Sequence, residues 1–314
     1  MTRLTATKCQ EAKDYLQRID QDLYERAHSD LRQVALRTIG IQEGSCGLPL
    51  QRLRLAVVPM TAGQGIISGF AEAVCAIAGH VGFHSWKTSS SDVAGIAEAY
   101  ANGADILLLA DDQCFLAINS RSRAIADNSR ATGESFAVLL DMMVRGVSGR
   151  ACGVIGCGPV GTASALRLAQ MGAELTLCDI NDKRARRLAS EIRTIAGANV
   201  QWVREVKALI NGSQCIVDAT PAARIIDADA IDRDTVIVAP GVPHGLTPEA
   251  AAKIGRRFYH DSLPLGVATM ALAAAFGQLT AAGDLWRQGD GEECLQGLAA
   301  AVVLTAGNNW DDSQ

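Results

Sequence analysis

Aromatic residues are scarce in this chain: six Phe, four Tyr and four Trp make up 4% of 314 residues. Basic residues are in deficit as well, with 29 Lys and Arg against 34 Asp and Glu for a formal charge of −5, and the pI lies near 5.6. A nucleic-acid surface needs basic stripes and stacking rings, and this composition supplies neither. Long apolar runs are also missing. The longest, Val267 to Ala282, is Ala-rich and interrupted by Gln278, and it falls short of a bilayer span. The opening MTRLTATKCQEAKDYLQRID has no apolar segment of the secretory type. The nine cysteines, from Cys9 to Cys294, include no CxxC pair and have only five histidines for company. That spacing argues against a disulfide framework and against structural zinc, and for reduced thiols in the cytoplasm. No metal, no nucleic acid and no membrane are expected as partners.

What is present is an ordinary globular composition, 48% apolar and 20% charged. The length is about twice that of a common domain, so two lobes are expected. From Glu11 to Ile39 apolar residues recur at helical spacing, as one amphipathic helix or a broken pair. Three apolar runs then alternate with helical patterns: LRLAVVPM at 53–60, VGFHSW at 81–86 and ADILLLA at 104–110. Such continuous runs are the mark of parallel strands covered on both faces. Thr132 to Val144 reads as a helix with Thr132 as its N-cap. A second series follows from Ala151, with ACGVIG, ELTLCD, NVQWV, QCIVDAT, TVIVAP and RFYHD as strands. The fold class expected is therefore α/β, a Rossmann-type NAD-binding domain plus a smaller N-terminal α/β domain with parallel strands. The boundaries expected are 1–148 for the substrate domain, 149–283 for the NAD-binding domain and 284–314 for a helical extension.

The strongest local signal is Gly156-Cys157-Gly158-Pro159-Val160-Gly161, directly after a strand and opening a helix. The first glycine permits a tight turn, the second admits a pyrophosphate to the helix N-terminus, and the third lets helix and strand pack closely. Asp179 closes the next strand, placed to accept from ribose hydroxyls, with Ile180 after it; this favours NAD over NADP. Arg184, Arg186 and Arg187 are the alternative, a 2′-phosphate site, although their position reads as a solvated helix face. Thr220-Pro221 and Pro240-Gly241 follow two later strands, where ligands of an open parallel sheet bind.

In the first half, Asp111-Asp112 stands just past ADILLLA. Adjacent acids at the end of a buried strand are costly unless solvated, paired or used. Neighbours on an extended chain point oppositely, so one can serve a substrate ammonium as base or counter-ion while the other holds the loop; a solvated acidic turn is the plain alternative. The segment Thr61 to Ser68, with Gly63 and Gly65, exposes backbone amides suited to a carboxylate, or is simply a turn. A metal reading has only His80, His84 and Asp92 to draw on, and Lys87 and the histidines read as surface or packing residues.

The strings VVPMTAGQGIISGFAEAVCAIAGHVGF and SDVAGIAEAYANGADILLLADDQCFLAIN resemble the pyrrolysine-biosynthesis protein D family, the 3-methylornithyl-N6-lysine dehydrogenases. IADN, VIGCGPVG, DATP, APGVPHG and PLGVATM follow in the family's order, so that the resemblance covers roughly residues 20 to 275. It implies an NAD-dependent oxidation of the ornithine terminal amine of 3-methylornithyl-lysine. Loss of ammonia then leaves a semialdehyde, which cyclises to pyrrolysine. On this resemblance Asp111 is the first choice for proton acceptor and Asp112 the second, as counter-ion or anchor. Asn119 and Asn128 orient substrate or water, and Gly63, Gly65 and Ser68 lie on the substrate side. The sequence departs from the family at Leu263, where an acid is expected before Pro264-Leu265-Gly266; Asp261 stands two positions earlier. A homodimer is one assembly the sequence allows. The competing readings are another two-lobe dehydrogenase of methylenetetrahydrofolate or shikimate type, which would want a lysine–acid pair, and a non-catalytic NAD-binding sensor.

Overall fold

A computed structural model describes residues 6–42, 50–63 and 65–278. The chain divides into two compact units, one running to Ser135 and resuming at Asp261, the other being Phe136–His260. This differs from the expected division at 148 and from an uninterrupted second domain reaching 283. The expected 284–314 extension lies outside the described residues.

The first unit opens with α1 (Ala6–Ala27) and α2 (Leu31–Thr38). The break between them is set by Asp30, whose side chain accepts from the Gln33 amide while the Gln33 side chain accepts from the Asp30 amide. This capping box starts a new helix and resolves the expected broken pair. There follow β1 (Arg54–Val58), α3 (Phe70–His80), β2 (His84–Lys87), α4 (Asp92–Ala101), β3 (Ile106–Ala110), β4 (Phe115–Asn119), β5 (Ile125–Asp127) and α5 (Asn128–Val144). The sheet order is β2-β1-β3-β4-β5. β1 pairs in parallel with β2 and β3, as the apolar runs predict, whereas β4 and β5 are antiparallel additions that those runs do not foretell. α5 begins at Asn128 rather than Thr132, because the Asp127 carboxylate accepts the Arg130 amide at 2.9 Å and caps the helix earlier.

The second unit is a six-stranded sheet, all parallel, in the order β11-β10-β9-β6-β7-β8. Its strands are β6 (Ala151–Ile155), β7 (Glu174–Cys178), β8 (Val200–Val203), β9 (Cys215–Asp218), β10 (Val236–Ala239) and β11 (Phe258–His260). Its helices are the end of α5, α6 (Pro159–Gln170), α7 (Asp182–Ala196), α8 (Val206–Asn211) and α9 (Pro248–Ile254). Order reverses at β6, which puts the glycine-rich turn at the topological switch point where open α/β sheets bind ligands. Ile155, Leu209, Ile216, Ile237, Leu246 and Ile254 are among the side chains of a buried cluster there.

The last described helix, α10 (Pro264–Phe276), belongs to the first unit and contacts α2, α3, β3, β4 and β5. It is buried from Pro264 to Ala275, which explains why its sequence is apolar all round rather than amphipathic. It ends at Gly277, earlier than the expected 282. No described helix is long and apolar enough to cross a membrane.

Candidate functional site

In the second unit the glycine-rich turn has the geometry its spacing predicts. Gly156 has φ +89°, and a Cβ there would stand 2.8 Å from Thr220 Cγ2 and 2.9 Å from the Ala219 carbonyl oxygen. A Cβ on Gly161 would overlap the Gly156 carbonyl oxygen, so α6 lies directly on the turn. Gly158, the N-cap of α6, is different: a Cβ there would meet nothing within 4 Å. Space is open beside the unpaired amides of the first helical turn, with Pro159 and Val160 starting the helix. An anion fits that place, because the helix dipole and those amides both favour negative charge.

Asp179 is buried at the end of β7, accepting from the Cys157 amide at 2.6 Å and the Asn181 amide at 2.8 Å. Its carboxylate therefore ties the glycine-rich turn to the neighbouring strand end. Ile180 is fully exposed next to it. Cys157 is buried, and its thiol is pushed up to about 12 by burial and then by the Asp179 charge. These residues fit a nicotinamide dinucleotide: glycine backbone for the pyrophosphate, an acid for the ribose, and an apolar side chain beside it for the adenine.

Thr220 and Gly241 lie together after β9 and β10. A Cβ on Gly241 would overlap the Thr220 carbonyl oxygen, so Gly241 serves the packing of two loops as well as any ring. The Thr220 hydroxyl donates to Asp218 at 2.8 Å and is not simply free for a ligand. Pro221 is exposed beside it, and Pro240 follows β10 directly. Sequence reasoning did not single out Asp218. It is fully buried, and it also accepts the Gly245 amide at 2.6 Å; burial pushes its pKa up against the pull of these bonds. His244 and His260 stand nearby with ring centroids 5.0 Å apart. His260 Nδ1 donates to the Ala239 carbonyl at 2.7 Å.

In the first unit the strand ends carry a second constellation. Asp111 Oδ1 accepts from the amides of Gln113 and Cys114, each at 2.8 Å, and its own amide donates to the Cys114 carbonyl. Those amides hold its carboxyl below the ordinary carboxylate range. Asp111 is thus the anchor of the β3–β4 turn. The first choice of proton acceptor is therefore a carboxylate whose charged form is already hydrogen-bonded, which makes it a weaker base. Asp112 points the other way: its carboxylate occupies the place a Cβ on Gly63 would take. Gly63 and Gly65 have φ of +69° and +84°, so the turn after β1 folds back against Asp112 in a conformation other residues resist. Ser68 is exposed further along that segment, before α3.

Asn119 lies at the end of the sheet opposite Asp112. β4 runs antiparallel to β3 and pairs Asn119 with Ile106, at the far end of the sheet. It is buried, its Nδ2 donates to the Ala274 carbonyl at 3.0 Å, and its Oδ1 accepts from the amides of Arg121 and Ser122. Its polar atoms are committed to the fold. Asn128, by contrast, follows β5 at the same sheet end as Asp112, and its Oδ1 is buried without a hydrogen-bond partner among the described residues. Leu263 donates its amide to Asp261, which also accepts from Leu265, so the acid near this departure faces its own turn. Lys87, at the end of β2, pairs with Glu72 in the first turn of α3 at 2.6 Å. The sequence suggested only a packing role for it. No group of three or more His, Cys, Asp or Glu able to hold a metal occurs among the described residues.

Residues 8–126 match the N-terminal domain of pyrrolysine biosynthesis protein PylD. The pyrrolysine synthase of Methanosarcina acetivorans is 30% identical over 255 residues, 81% of this chain and 95% of that protein. That of Methanosarcina barkeri, strain Fusaro, is 30% identical over 249 residues, 78% of this chain and 90% of that protein. Among solved structures, quinate dehydrogenase from Corynebacterium glutamicum in complex with NAD gives a TM-score of 0.51 at 15% identity. It covers 79% of this chain and 99% of its own, a likeness of fold alone. The fold is thus that of two-lobe dehydrogenases, while the identity extends through both halves of the pyrrolysine synthases: the chain belongs to the PylD family of pyrrolysine-biosynthesis proteins.

Proposed function

We propose that this chain oxidises the terminal amine of 3-methylornithyl-N6-lysine with NAD, the last step of pyrrolysine formation. The observation that carries the reading is the placement of Asp112 and of the orphaned Oδ1 of Asn128 at the same end of the first sheet. Both are acceptors, and an ammonium group brings only donors. Family membership supports this identity for the amine.

Bound NAD supplies the hydride acceptor. Asp112 holds the substrate ammonium against the Gly63 turn and takes the proton that must leave before hydride can depart from carbon. Its exposed position lets it pass that proton to solvent. Asn128 Oδ1, at the same sheet end, accepts a donor from elsewhere on the bound substrate. Loss of one proton and one hydride converts CH2–NH3+ to an iminium; water adds, ammonia leaves, and an aldehyde remains. The ornithine α-amine condenses with that aldehyde and returns the water, closing the pyrroline ring. Ring closure needs no protein group, because amine and aldehyde belong to one chain and have a high effective concentration. Asp179 and Gly158 select the cofactor: the acid accepts from two ribose hydroxyls and repels a 2′-phosphate, which supports NAD over NADP.

The Lys87–Glu72 pair favours a second reading, oxidation of a hydroxyl whose proton a lysine–acid pair would take. The test is absorbance at the NADH band with NAD and 3-methylornithyl-lysine, and in parallel with quinate and shikimate, with mass spectrometry of the products. NADH with loss of ammonia and formation of pyrrolysine supports the amine reading. NADH only with the hydroxy acids replaces it, and NAD binding without turnover on any compound leaves a sensor.

A further inference from the structure

We propose that the Lys87–Glu72 ion pair is the reader of an amino-acid head group, binding the α-carboxylate and α-ammonium at the lysine end of the substrate. This rests on the amine reading above and adds to it the group that measures the far end of the molecule. The two charges lie 2.6 Å apart, with side chains 33% and 27% exposed. Such a pair is neither buried enough to be a core lock nor placed to contribute much stability. Among the described residues Lys87 Nζ uses one of its three N–H bonds, on Glu72, and the other two can serve a carboxylate. A zwitterionic head group laid antiparallel to the pair sets carboxylate against Lys87 and ammonium against Glu72. Four charges then alternate in sign around a ring.

Position supports the assignment. Lys87 is registered opposite Val57, one residue before the end of β1, and the strand order is β2-β1-β3. The pair therefore sits at the same sheet end as Asp112, two strands away. Two strand spacings are about 10 Å. The substrate has ten bonds from its oxidised carbon to its lysine α-carbon, an extended reach of about 12 Å. With the amine on Asp112, the head group falls at β2. Between them runs the turn after β1, where Ile66 and Ile67 are 55% and 65% exposed and offer apolar cover to the intervening methylenes. Ser85, on the same face of β2 as Lys87, donates to the Cys75 carbonyl of α3, which shows that this face of the strand meets the helix bearing Glu72.

The test compares three amines: the full substrate, its counterpart lacking the lysine α-carboxylate, and its counterpart lacking the lysine α-amine. With the unaltered enzyme, removal of either head group is expected to raise KM about tenfold with little change in kcat. Lys87→Met should raise KM for the full substrate by the same factor, with no further increase when the carboxylate is absent. Glu72→Gln should show that pattern for the α-amine, and Lys87→Arg should restore most of the affinity. Equal loss on all three compounds, or no loss on any, overturns the assignment and leaves the pair a link between α3 and β2. No NADH from the unaltered enzyme with any of the three overturns the amine reaction itself, and the head-group reading with it.

Discussion

The Cys157 amide donates to Asp179 at 2.6 Å, so the acid at the end of β7 positions the glycine-rich turn in addition to the ribose contact proposed for it. Removing it should therefore cost more than a ribose contact. Asp179→Ala is expected to raise KM for NAD by about 10–100-fold, the value of one or two charge-assisted hydrogen bonds, with a smaller change in KM for the amine. Steady-state kinetics with NAD and the amine varied in turn, followed at the NADH band, check it.

Two glycines three positions apart have opposite surroundings: Gly158 faces open space and Gly161 faces the Gly156 carbonyl. Gly158→Ala should leave the melting temperature unchanged and weaken NAD binding. Gly161→Ala should lower the melting temperature, by the about 1–3 kcal/mol typical of overpacking, because α6 must move off the turn. Thermal melts with and without NAD separate the two; equal behaviour would refute the reading of the turn.

The two acids after β3 should part company in kinetics. Asp112→Asn is expected to lower kcat by about 10²–10⁴, the usual share of a positioned acid–base group, and to shift the pH–rate profile. Asp111→Asn should retain turnover, since its role is to bind the Gln113 and Cys114 amides. Its depressed pKa favours the folded state above the unfolded value and loses that effect as pH falls through the folded one, so the Asp111→Asn variant should lose less stability on acidification.

How legible was this in the sequence? The parallel strands were, because strands buried on both faces read as apolar runs, and the glycine-rich turn was, because its spacing is dictated by backbone collisions. β4 and β5 were not. The reversal after β3 is made by Asp111 and its neighbours rather than by the Asn-Gly or Asp-Gly pair that announces a hairpin. That hidden reversal carries Asn119 to the end of the sheet opposite Asp112 and returns Asn128 to the same end. Which of two adjacent acids bonds inward is likewise a matter of turn geometry, and Asp218 looked like the ordinary end of a strand.

Asn119 accordingly gives a prediction about stability rather than catalysis. Asn119→Ala leaves the Ala274 carbonyl and two turn amides without their partner and should cost about 1–3 kcal/mol, with KM for the amine unchanged. Urea denaturation beside steady-state kinetics checks both halves.

Cys157 should be inert. With its thiol pushed up to about 12, chiefly by burial, it stays protonated at neutral pH and should resist iodoacetamide until the protein unfolds. The sign of the linkage follows: the contribution is complete below the unfolded thiol value of about 8.5 and is lost as pH rises toward the folded one. Cys157→Ala should therefore lose less stability than the parent between these limits, measured by denaturant midpoints across the alkaline range.

The return of α10 to the first unit has a consequence during synthesis. A ribosome makes the strands β1 to β5 early, yet the helix that covers β3, β4 and β5 is encoded after the whole of residues 136–260. At about 5–20 residues per second, the nascent first unit waits on the order of 10 s for its last wall. The second unit, continuous in sequence, can mature inside that interval. The open face of β3, β4 and β5 is then the surface a chaperone would find, and a chain truncated before Pro264 would never close it.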